Sequence, residues 1–378
     1  MEFLVFGEDW GRHPSSSQHL LSVLMHDHSV TWINSIGLRQ PNLTMRDLKR
    51  INEKITTALT NYEPPAVSIK PRKIIKPLVW PLAKSANMQK INQFLLRRQI
   101  PPKKYHRIIW AALPTAVDYL EISESDLVIY YCGDDFSALA GVDHQYVTEA
   151  EQRLIQVSDI ILTASPTLQQ KFPPDKTWLL PHGVAINNFK QPTSKPTEIC
   201  NNQPSIGFYG SINNWLDIKL LKCLAESRPH MNFYLVGRKD VDPFELKQLS
   251  NIHFLPACPH NQLPGYLQHW SIAILPFVNN PQIQACNPLK LREYLASGCP
   301  VISSNFPAAT EYQPLVTIAT TVNQWLEAID KLSQLSELER QHYANRAQDK
   351  VKDESWENRA QEVLQLISSA LKQKKYSS

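Results

Sequence analysis

A lysine stands near the start of the segment NPLKLREYLASGCPVIS, residues 287–303. The spacing of the apolar residues predicts a helix that begins near Pro288 and ends at Gly298, followed at once by a Val-Ile strand. A helix N-terminus carries unpaired N–H groups and partial positive charge, so a cation there is unfavourable unless an anion lies in front of it. Lys290 and these amides therefore indicate a phosphate-bearing ligand, with a solvated surface lysine as the alternative.

Two glycine-containing loops are predicted to lie beside this helix, because ligands of open parallel sheets bind beyond the carboxyl ends of the strands. In FYGSINNW, Gly210 allows a ligand close to the backbone and Ser211 can donate a hydrogen bond, although a tight turn also explains the glycine. In VGRKD, Gly237 precedes Arg238, a second cation for a diphosphate. No Asp-rich metal motif accompanies these loops, so we expect the phosphates to be held without a metal. The lack of a GxGxxG motif disfavours a nicotinamide dinucleotide.

The elements that must position these loops alternate between strand and helix along the chain. Apolar runs of strand length, such as RIIWAALP, DLVIYYC and SIAILPF, predict parallel sheets covered by helices. The polar, proline-containing residues 187–204 are interpreted as a linker. We therefore predict an α/β protein of two Rossmann-like βα domains facing a cleft, over residues 1–186 and 205–353. A final helix over residues 354–378 is expected to pack back on the first domain.

The composition narrows the class of protein. The 378 residues are 43% hydrophobic and 20% charged, which suits a soluble protein with two domains and a sizeable core. The net charge of +4 is too small to indicate a nucleic-acid partner. The six cysteines show no CxxC or metal-type spacing and are expected to be reduced thiols of a cytoplasmic protein. No run reaches the roughly 18 apolar residues of a transmembrane helix.

Three segments of the chain resemble one known family. They are IGFYGSINNWLD, the stretch from YYCGDDF to LLPHGV, and ILPF…NPLKLREYLASGCPVISSN. These segments are similar to the GT-B glycosyltransferases, in particular family 4 and its relatives in teichuronic acid and exopolysaccharide assembly. The resemblance implies a GT-B fold and a hexosyltransferase. Such an enzyme moves a sugar from a UDP- or GDP-linked donor to a saccharide, polysaccharide or lipid-linked acceptor and needs no cofactor.

The resemblance also implies roles for the residues of the second domain. Glu293 matches the second of the family's paired glutamates, which binds the donor ribose, but the first glutamate is replaced by Ala285. A buried structural ion pair is the alternative role for Glu293. Lys290 is expected to meet the pyrophosphate. His182 stands in LPHGV where the family has Asn. The expected donor-binding residues are Gly11, Gly210, Ser211, Gly237, Arg238, Asn287, Pro288, Leu289, Lys290 and Glu293.

The candidate catalytic residues lie in two loops of the first domain. YYCGDDF places Asp134 and Asp135 just past a strand, where one carboxylate can take the proton of an acceptor hydroxyl. A turn or a helix cap is the alternative role for these residues, and a retaining enzyme needs no such base. In the loop GEDWGRHPSSS, Gly11 lets the backbone approach the donor phosphate and His13 can reach the reacting centre. A lone loop histidine is, however, often merely exposed.

A cationic segment covers residues 70–107, and no Asp or Glu occurs from Pro64 to Val117. Within it, ANMQKINQFLLRRQ predicts an amphipathic helix with basic flanks. Such a segment suits binding to an anionic membrane surface, where each basic residue near the headgroups contributes about 1 kcal/mol of binding free energy. We therefore expect peripheral attachment at the inner face of the membrane. RNA is the competing partner, but no nucleic-acid module is recognisable. A solvated face on an ordinary core helix is the third reading. The expected membrane-facing residues are Lys73, Lys76, Trp80, Arg97, Arg98, Lys103 and Lys104.

Two rival functions fit the same fold. A nucleotide-sugar epimerase or hydrolase would keep the donor site but need no acceptor. A non-catalytic GT-B-like partner protein is suggested by the missing first glutamate at Ala285.

Overall fold

The computed structural model describes residues 1–11, 15–35, 69–77, 86–103, 106–139, 141–199 and 203–377. The chain divides into two compact units. The first consists of Met1–Pro181 with Arg359–Ser378, and the second of His182–Asn358. The described part of the segment interpreted as a linker, residues 187–199, lies in the second unit. The closing helix lies in the first unit from Arg359 onward.

The first unit is built on a seven-stranded sheet in the order β3-β2-β1-β4-β5-β6-β7, with every neighbouring pair parallel. β5 reads LVIYYC and is buried at every position, as expected of a strand covered by helices on both faces. The strands are β1 Glu2–Phe6, β2 Ser29–Ile33, β3 Lys73–Ile75, β4 Arg107–Ala111, β5 Leu127–Cys132, β6 Ile160–Thr163 and β7 Thr177–Leu179.

Side-chain caps begin the helices of the first unit. Ser15 and Asp143 each accept a hydrogen bond from a backbone N–H of the first helical turn. In the closing helix, Lys374 donates to the carbonyl of Asp126 at 2.6 Å and pairs with the carboxylate of Asp159 at 2.8 Å. The described helices of this unit are Ser16–Leu24, Ala86–Arg97, His144–Val157, Pro166–Gln169 and Trp356–Ser377, with short 3-10 turns over Pro114–Tyr119 and Pro174–Lys176.

The second unit holds a six-stranded parallel sheet in the order β10-β9-β8-β11-β12-β13. Its strands are β8 Ser205–Tyr209, β9 Asn232–Val236, β10 Ile252–Leu255, β11 Ile272–Leu275, β12 Val301–Ser303 and β13 Val316–Ile318. Its helices are Ile186–Lys190, Ile218–Ser227, Leu263–Leu267, Pro281–Ala285, Leu289–Ser297, Pro307–Thr310, Val322–Ser333 and Glu337–Val351, with 3-10 turns over Leu246–Gln248 and His260–Gln262.

Two parallel sheets with flanking helices confirm the predicted α/β class. The order of the strands places β8, the first of the second unit, next to β9 and β11 at the middle of its sheet. The loops after β8 and β9 therefore leave the same edge side by side, as the sequence predicted. Within the described ranges, no helix combines the length and apolar character needed to cross a bilayer.

We predict that Gly207→Ala destabilises the second unit. Gly207 lies in β8, and a Cβ added there would come within 1.9 Å of the Trp270 ring, which is itself buried. Forcing this overlap should lower the free energy of unfolding by about 1–3 kcal/mol, measured by urea denaturation. Gly133→Ala is the control, because its Cβ would only reach ordinary contact with Tyr131 at 3.4 Å. Equal urea midpoints for the two variants would contradict the close packing of Trp270 on Gly207.

Candidate functional site

The ammonium group of Lys290 lies against aromatic rings and glycine backbone. Its helix, Leu289–Ser297, follows Pro288 as the extended N-cap residue and ends at Gly298, which has a φ of 78°. The Nζ atom lies 4.8 Å from the ring centre of Phe208 and 5.7 Å from that of Phe277. A Cβ on Gly210 would come within 2.5 Å of Nζ. The structure thus brings together Lys290 and the glycine that follows β8.

Burial changes the acidity of this lysine. Desolvation lowers the pKa of Lys290 from 10.5 to about 8, although the charge of Glu293 partly opposes the shift. In the described part of the chain, the ammonium contacts ring faces but makes no hydrogen bond or ion pair with a carboxylate. A desolvated cation in this position can be compensated by a ligand anion.

The two glycine loops pack directly on each other. Gly210 and Gly237 have φ values of 134° and 151°, which L-residues rarely adopt. A Cβ on Gly237 would lie 2.0 Å from the carbonyl oxygen of Gly210. Gly237 therefore makes room for the Gly210 turn, and its contribution to the site passes through that turn.

Glu293 is buried and held by two side chains that the sequence analysis did not single out. One carboxylate oxygen, Oε2, accepts a hydrogen bond from the hydroxyl of Tyr209, and Oε1 lies 2.6 Å from Nε2 of His260. The sequence could predict only that Glu293, if buried, would have hydrogen-bonding partners, because a buried carboxylate needs them. Nothing in the sequence pattern, however, identified these two residues, because the tertiary fold brings them to Glu293 from β8 and from the turn after β10.

His260 and Glu293 form a charge-assisted pair. Burial alone would lower the pKa of His260, but the charge and hydrogen bond of Glu293 outweigh it and raise that pKa above its ordinary 6.5. The ring of His260 also contacts Phe189 edge-to-face, with 5.5 Å between ring centres. These contacts orient the Glu293 carboxylate.

Asn287 and the helix start are fixed by a buried ionic network. The Asn287 side-chain oxygen accepts a hydrogen bond from Arg292 at 2.5 Å. Arg292 is almost fully buried and pairs with Glu354 at 2.6 Å, and Glu354 also accepts a hydrogen bond from Tyr312 at 2.7 Å. Asn287 therefore contributes by anchoring the segment that carries Lys290.

The remaining predicted donor residues of the second unit are arranged less directly. Arg238 is exposed, and its guanidinium pairs with Asp240 at 2.6 Å. Ser211, Pro288 and Leu289 are half-buried beside Gly210 and Lys290 in sequence. The central group of this unit is therefore Gly210, Lys290 and Glu293, with Arg238 on an exposed ion pair of its own.

The two aspartates of the first unit differ in environment. Asp135 accepts hydrogen bonds from the backbone and side chain of Ser137 and pairs with Lys171 at 2.5 Å. Burial would raise the pKa of Asp135, but these partners outweigh it and lower the pKa. Asp134 keeps solvent contact, yet desolvation by the surrounding protein and the charges of Glu8 and Asp135 raise its pKa to about 6. Asp135 is thus engaged in a turn and an ion pair, and the carboxylate of Asp134 is the more basic of the two.

Glu8 is a further residue that the sequence analysis missed. It follows β1, accepts a hydrogen bond from Ser15 at 2.9 Å, and has a pKa raised chiefly by desolvation. Its charge contributes to the raised pKa of Asp134, so the two loops meet at the same edge of the sheet. Gly11, in the same loop as Glu8, has a φ of 78° and donates its N–H to the side chain of Gln18. The third candidate in these loops, His13, lies outside the described residues.

A search of the described ranges finds no group of His, Cys, Asp or Glu side chains placed to hold a metal ion. The described sites offer a desolvated lysine, helix amides and carboxylates of unequal pKa.

Comparison with known proteins shows that part of the second unit is similar to a known family. Residues 203–334 match the family model described as "Glycosyl transferases group 1". This range contains the loops after β8 and β9 and the whole of the Lys290 helix. The match confirms the resemblance on which the donor-site prediction was based.

One curated relative is a protein named as a candidate teichuronic acid biosynthesis glycosyltransferase, TuaH, from Bacillus subtilis strain 168. The two sequences are 29% identical over 226 residues, which are 54% of this chain and 57% of the relative. The match therefore spans little more than half of the relative's own length.

Solved structures share the fold along nearly the whole chain. HepE from Anabaena, in complex with UDP-glucose, is 13% identical with a TM-score of 0.68 and coverage of 98% of this chain and 100% of its own. Sucrose-phosphate synthase from Thermosynechococcus elongatus is 13% identical with a TM-score of 0.70 and coverage of 97% and 98%. These similarities confirm the GT-B fold.

We predict that His260→Gln removes a pH-dependent part of the stability of the second unit. A histidine whose pKa is raised by folding stabilises the protein fully below its unfolded pKa, and this contribution is lost as the pH rises through the raised value. The difference in unfolding free energy between the wild type and the variant should therefore be largest below about pH 6.5 and shrink above it.

Urea unfolding at a series of pH values measures this difference. Tyr209→Phe is the matched control, because it removes the other hydrogen bond to Glu293 but no group that titrates in this range. Its effect should not depend on pH. A constant difference for His260→Gln would refute the ion pair.

Proposed function

We propose that this chain is a metal-independent glycosyltransferase. It moves a hexosyl group from a UDP- or GDP-linked donor to a saccharide or lipid-linked acceptor. The transferase class is supported by the match to group 1 glycosyl transferases and by the name of the Bacillus subtilis relative. The observation that carries the proposal is the Lys290 ammonium, desolvated beside the rings of Phe208 and Phe277 at the start of a helix.

The donor diphosphate binds at the start of the Lys290 helix. The negative charge of the diphosphate compensates the ammonium for the hydration that it loses on burial. The backbone N–H groups of the first helical turn, which no side chain caps, donate hydrogen bonds to the diphosphate oxygens. The turn at Gly210 brings backbone close to the phosphates, since a side chain there would overlap Nζ of Lys290. HepE is named as a complex with UDP-glucose, which supports a nucleotide sugar as the donor class.

Glu293 accepts the ribose hydroxyls of the donor. A carboxylate offers about four acceptor positions, so one that Tyr209 and His260 orient can still accept from a ribose. Because these two residues fix the carboxylate before the ligand arrives, less conformational entropy is lost on binding.

Lys290 also stabilises the leaving group. When the bond between the sugar and the diphosphate breaks, negative charge develops on the diphosphate oxygens. A prepositioned cation in a desolvated site stabilises this charge strongly, without the reorganisation that water requires. The lysine thus supplies the charge that a metal ion supplies in other transferases.

Asp134 is the proposed general base for the acceptor hydroxyl. A pKa near 6 makes it a stronger base than an ordinary aspartate while it remains ionised at neutral pH. Asp135 is a weaker candidate, because its carboxylate already binds Lys171 and Ser137. A retaining transfer would need no base, so this role of Asp134 specifies an inverting reaction.

Two rival functions fit the same fold, and the missing first glutamate favours one of them, the non-catalytic partner protein. Ala285 is buried and offers no side-chain hydrogen bond to a donor sugar. A non-catalytic partner protein would bind no nucleotide, and an epimerase or hydrolase would consume the nucleotide sugar without an acceptor. Nucleotide titration and acceptor dependence therefore separate the three functions.

We predict that Lys290→Met weakens binding of UDP or GDP by about 10–100-fold, the loss expected for one charge-assisted contact. Calorimetric titration without added metal measures it. Lys350→Met is the matched control, since Lys350 also lies over an aromatic ring, 5.9 Å from the centre of Tyr312, but is exposed on another helix. Equal nucleotide affinities in the two variants would contradict the proposal that the diphosphate binds Lys290.

The same titration should depend on pH. With a pKa of about 8, Lys290 loses its proton as the pH rises past that value, so nucleotide affinity should fall between pH 8 and pH 10. Lys290→Arg keeps its charge in this range and should show a flatter profile.

We predict that Asp134→Asn lowers turnover at least about 100-fold and leaves nucleotide affinity unchanged. Release of UDP from UDP-glucose, with a bacterial lipid extract as the acceptor source, measures the rate. In the wild type this rate should fall as the pH drops through about 6, because the base becomes protonated. Asp135→Asn is the control and should lose much less. Full activity of Asp134→Asn would exclude an Asp134 base.

A further inference from the structure

The helix Ala86–Arg97 is attached to the first unit by its polar side chains. Gln89 donates to the carboxylate of Asp118 and Gln93 to its backbone carbonyl, each at 3.2 Å. Asn92 is fully buried and hydrogen-bonds to Tyr119. Leu96 is the one large apolar residue of this helix among the fully buried side chains of the described residues.

The opposite side of the same helix is apolar and faces solvent. Ile91 and Phe94 are 51% and 53% exposed, and Leu95 is 38% exposed. A helix of a globular protein normally buries its apolar stripe and exposes its polar one. This helix has the reverse orientation, which costs free energy in water and indicates a second environment for the stripe.

Basic residues border the exposed stripe. Lys90 and Arg98 are exposed, and the Arg98 guanidinium lies 4.3 Å from the ring centre of Phe94. Lys73 donates to the carbonyl of Gln99, which places another ammonium beside the end of the helix. Arg97 is exposed and forms an ion pair with Glu121 at 3.0 Å.

We infer that this stripe, defined by Ile91, Phe94 and Leu95 with Lys73, Lys90 and Arg98, docks the protein on an anionic phospholipid surface. The apolar side chains would enter the boundary between headgroups and acyl chains, while the basic ones remain with the lipid phosphates. Charge complementarity selects this occupant. The inference does not depend on sugar transfer or on the Lys290 site.

The structure revises the set of membrane-facing residues expected from the sequence. Lys103 is bound to Asp126 at 2.5 Å and to Ser123 and Ser125, so it belongs to a local ionic cluster. Lys76 is exposed. Trp80 and Lys104 lie outside the described residues.

Sedimentation of the whole 378-residue chain with vesicles tests the inference. The probe is phosphatidylcholine vesicles with or without phosphatidylglycerol, at low and high salt. We expect recovery with the anionic vesicles only, reduced by salt. Phe94→Ser with Leu95→Ser should lower the partition coefficient at least about tenfold, and Lys90→Gln and Arg98→Gln about fivefold each.

Controls in the second unit match each change. Phe244, which is 64% exposed, supplies Phe244→Ser, and Lys350→Gln matches the charge changes; both should bind as the wild type does. Thermal unfolding checks that every variant is folded.

Equal recovery on neutral and anionic vesicles, or unaltered vesicle binding by the Phe94→Ser and Leu95→Ser variant, would overturn the inference. So would light scattering that shows these substitutions converting a dimer to monomers, because a second copy would then cover the stripe. Nucleotide titration of the same variants reports separately on the donor site.

Discussion

The ammonium of Lys290 lies against aromatic ring faces and glycine backbone, and among the described residues no ion pair joins it to a carboxylate. Its positive charge lies over Phe208 and close to the backbone of Gly210, and desolvation lowers its pKa to about 8. The charge of Glu293 offsets only part of this desolvation, so an anion bound at the ammonium would stabilise the charged form further. In the proposed function, the donor diphosphate supplies the remaining negative charge.

Two buried networks hold the helix that carries it. Arg292 joins Asn287 before the helix to Glu354, while Glu293 is bound by Tyr209 and His260. Consecutive residues of one helix thus face two different sets of partners. Removing one member of such a pair leaves a buried charge uncompensated, so these contacts fix the helix with high specificity even where their net stabilisation is small.

In the first unit, too, the surroundings of a residue decide its properties. Two adjacent aspartates have pKa values shifted in opposite directions. Lys171 and Ser137 lower the pKa of Asp135, whereas desolvation, with the charges of Glu8 and Asp135, raises that of Asp134. The helix Ala86–Arg97 shows a related contrast, with glutamine and asparagine against the protein and Phe94 in solvent. In both places neighbouring residues of ordinary type differ in their properties because of what the fold places beside them.

The sequence by itself determined the elements and the edge at which the site lies. Apolar strand-length runs alternating with helices are local patterns, and parallel strands bring the loops after β8 and β9 together by topology alone. Lys290 and Gly210 were found in this way, whereas Glu293 was identified by the resemblance to the GT-B glycosyltransferases. Only the tertiary structure decided their partners: Tyr209 and His260 on Glu293, Asp240 on Arg238, and the turn that occupies Asp135. It also decided which face of Ala86–Arg97 points outward. A helical period shows that a helix has two faces, but which face is buried depends on the surface it meets, and that surface comes from residues distant in the chain.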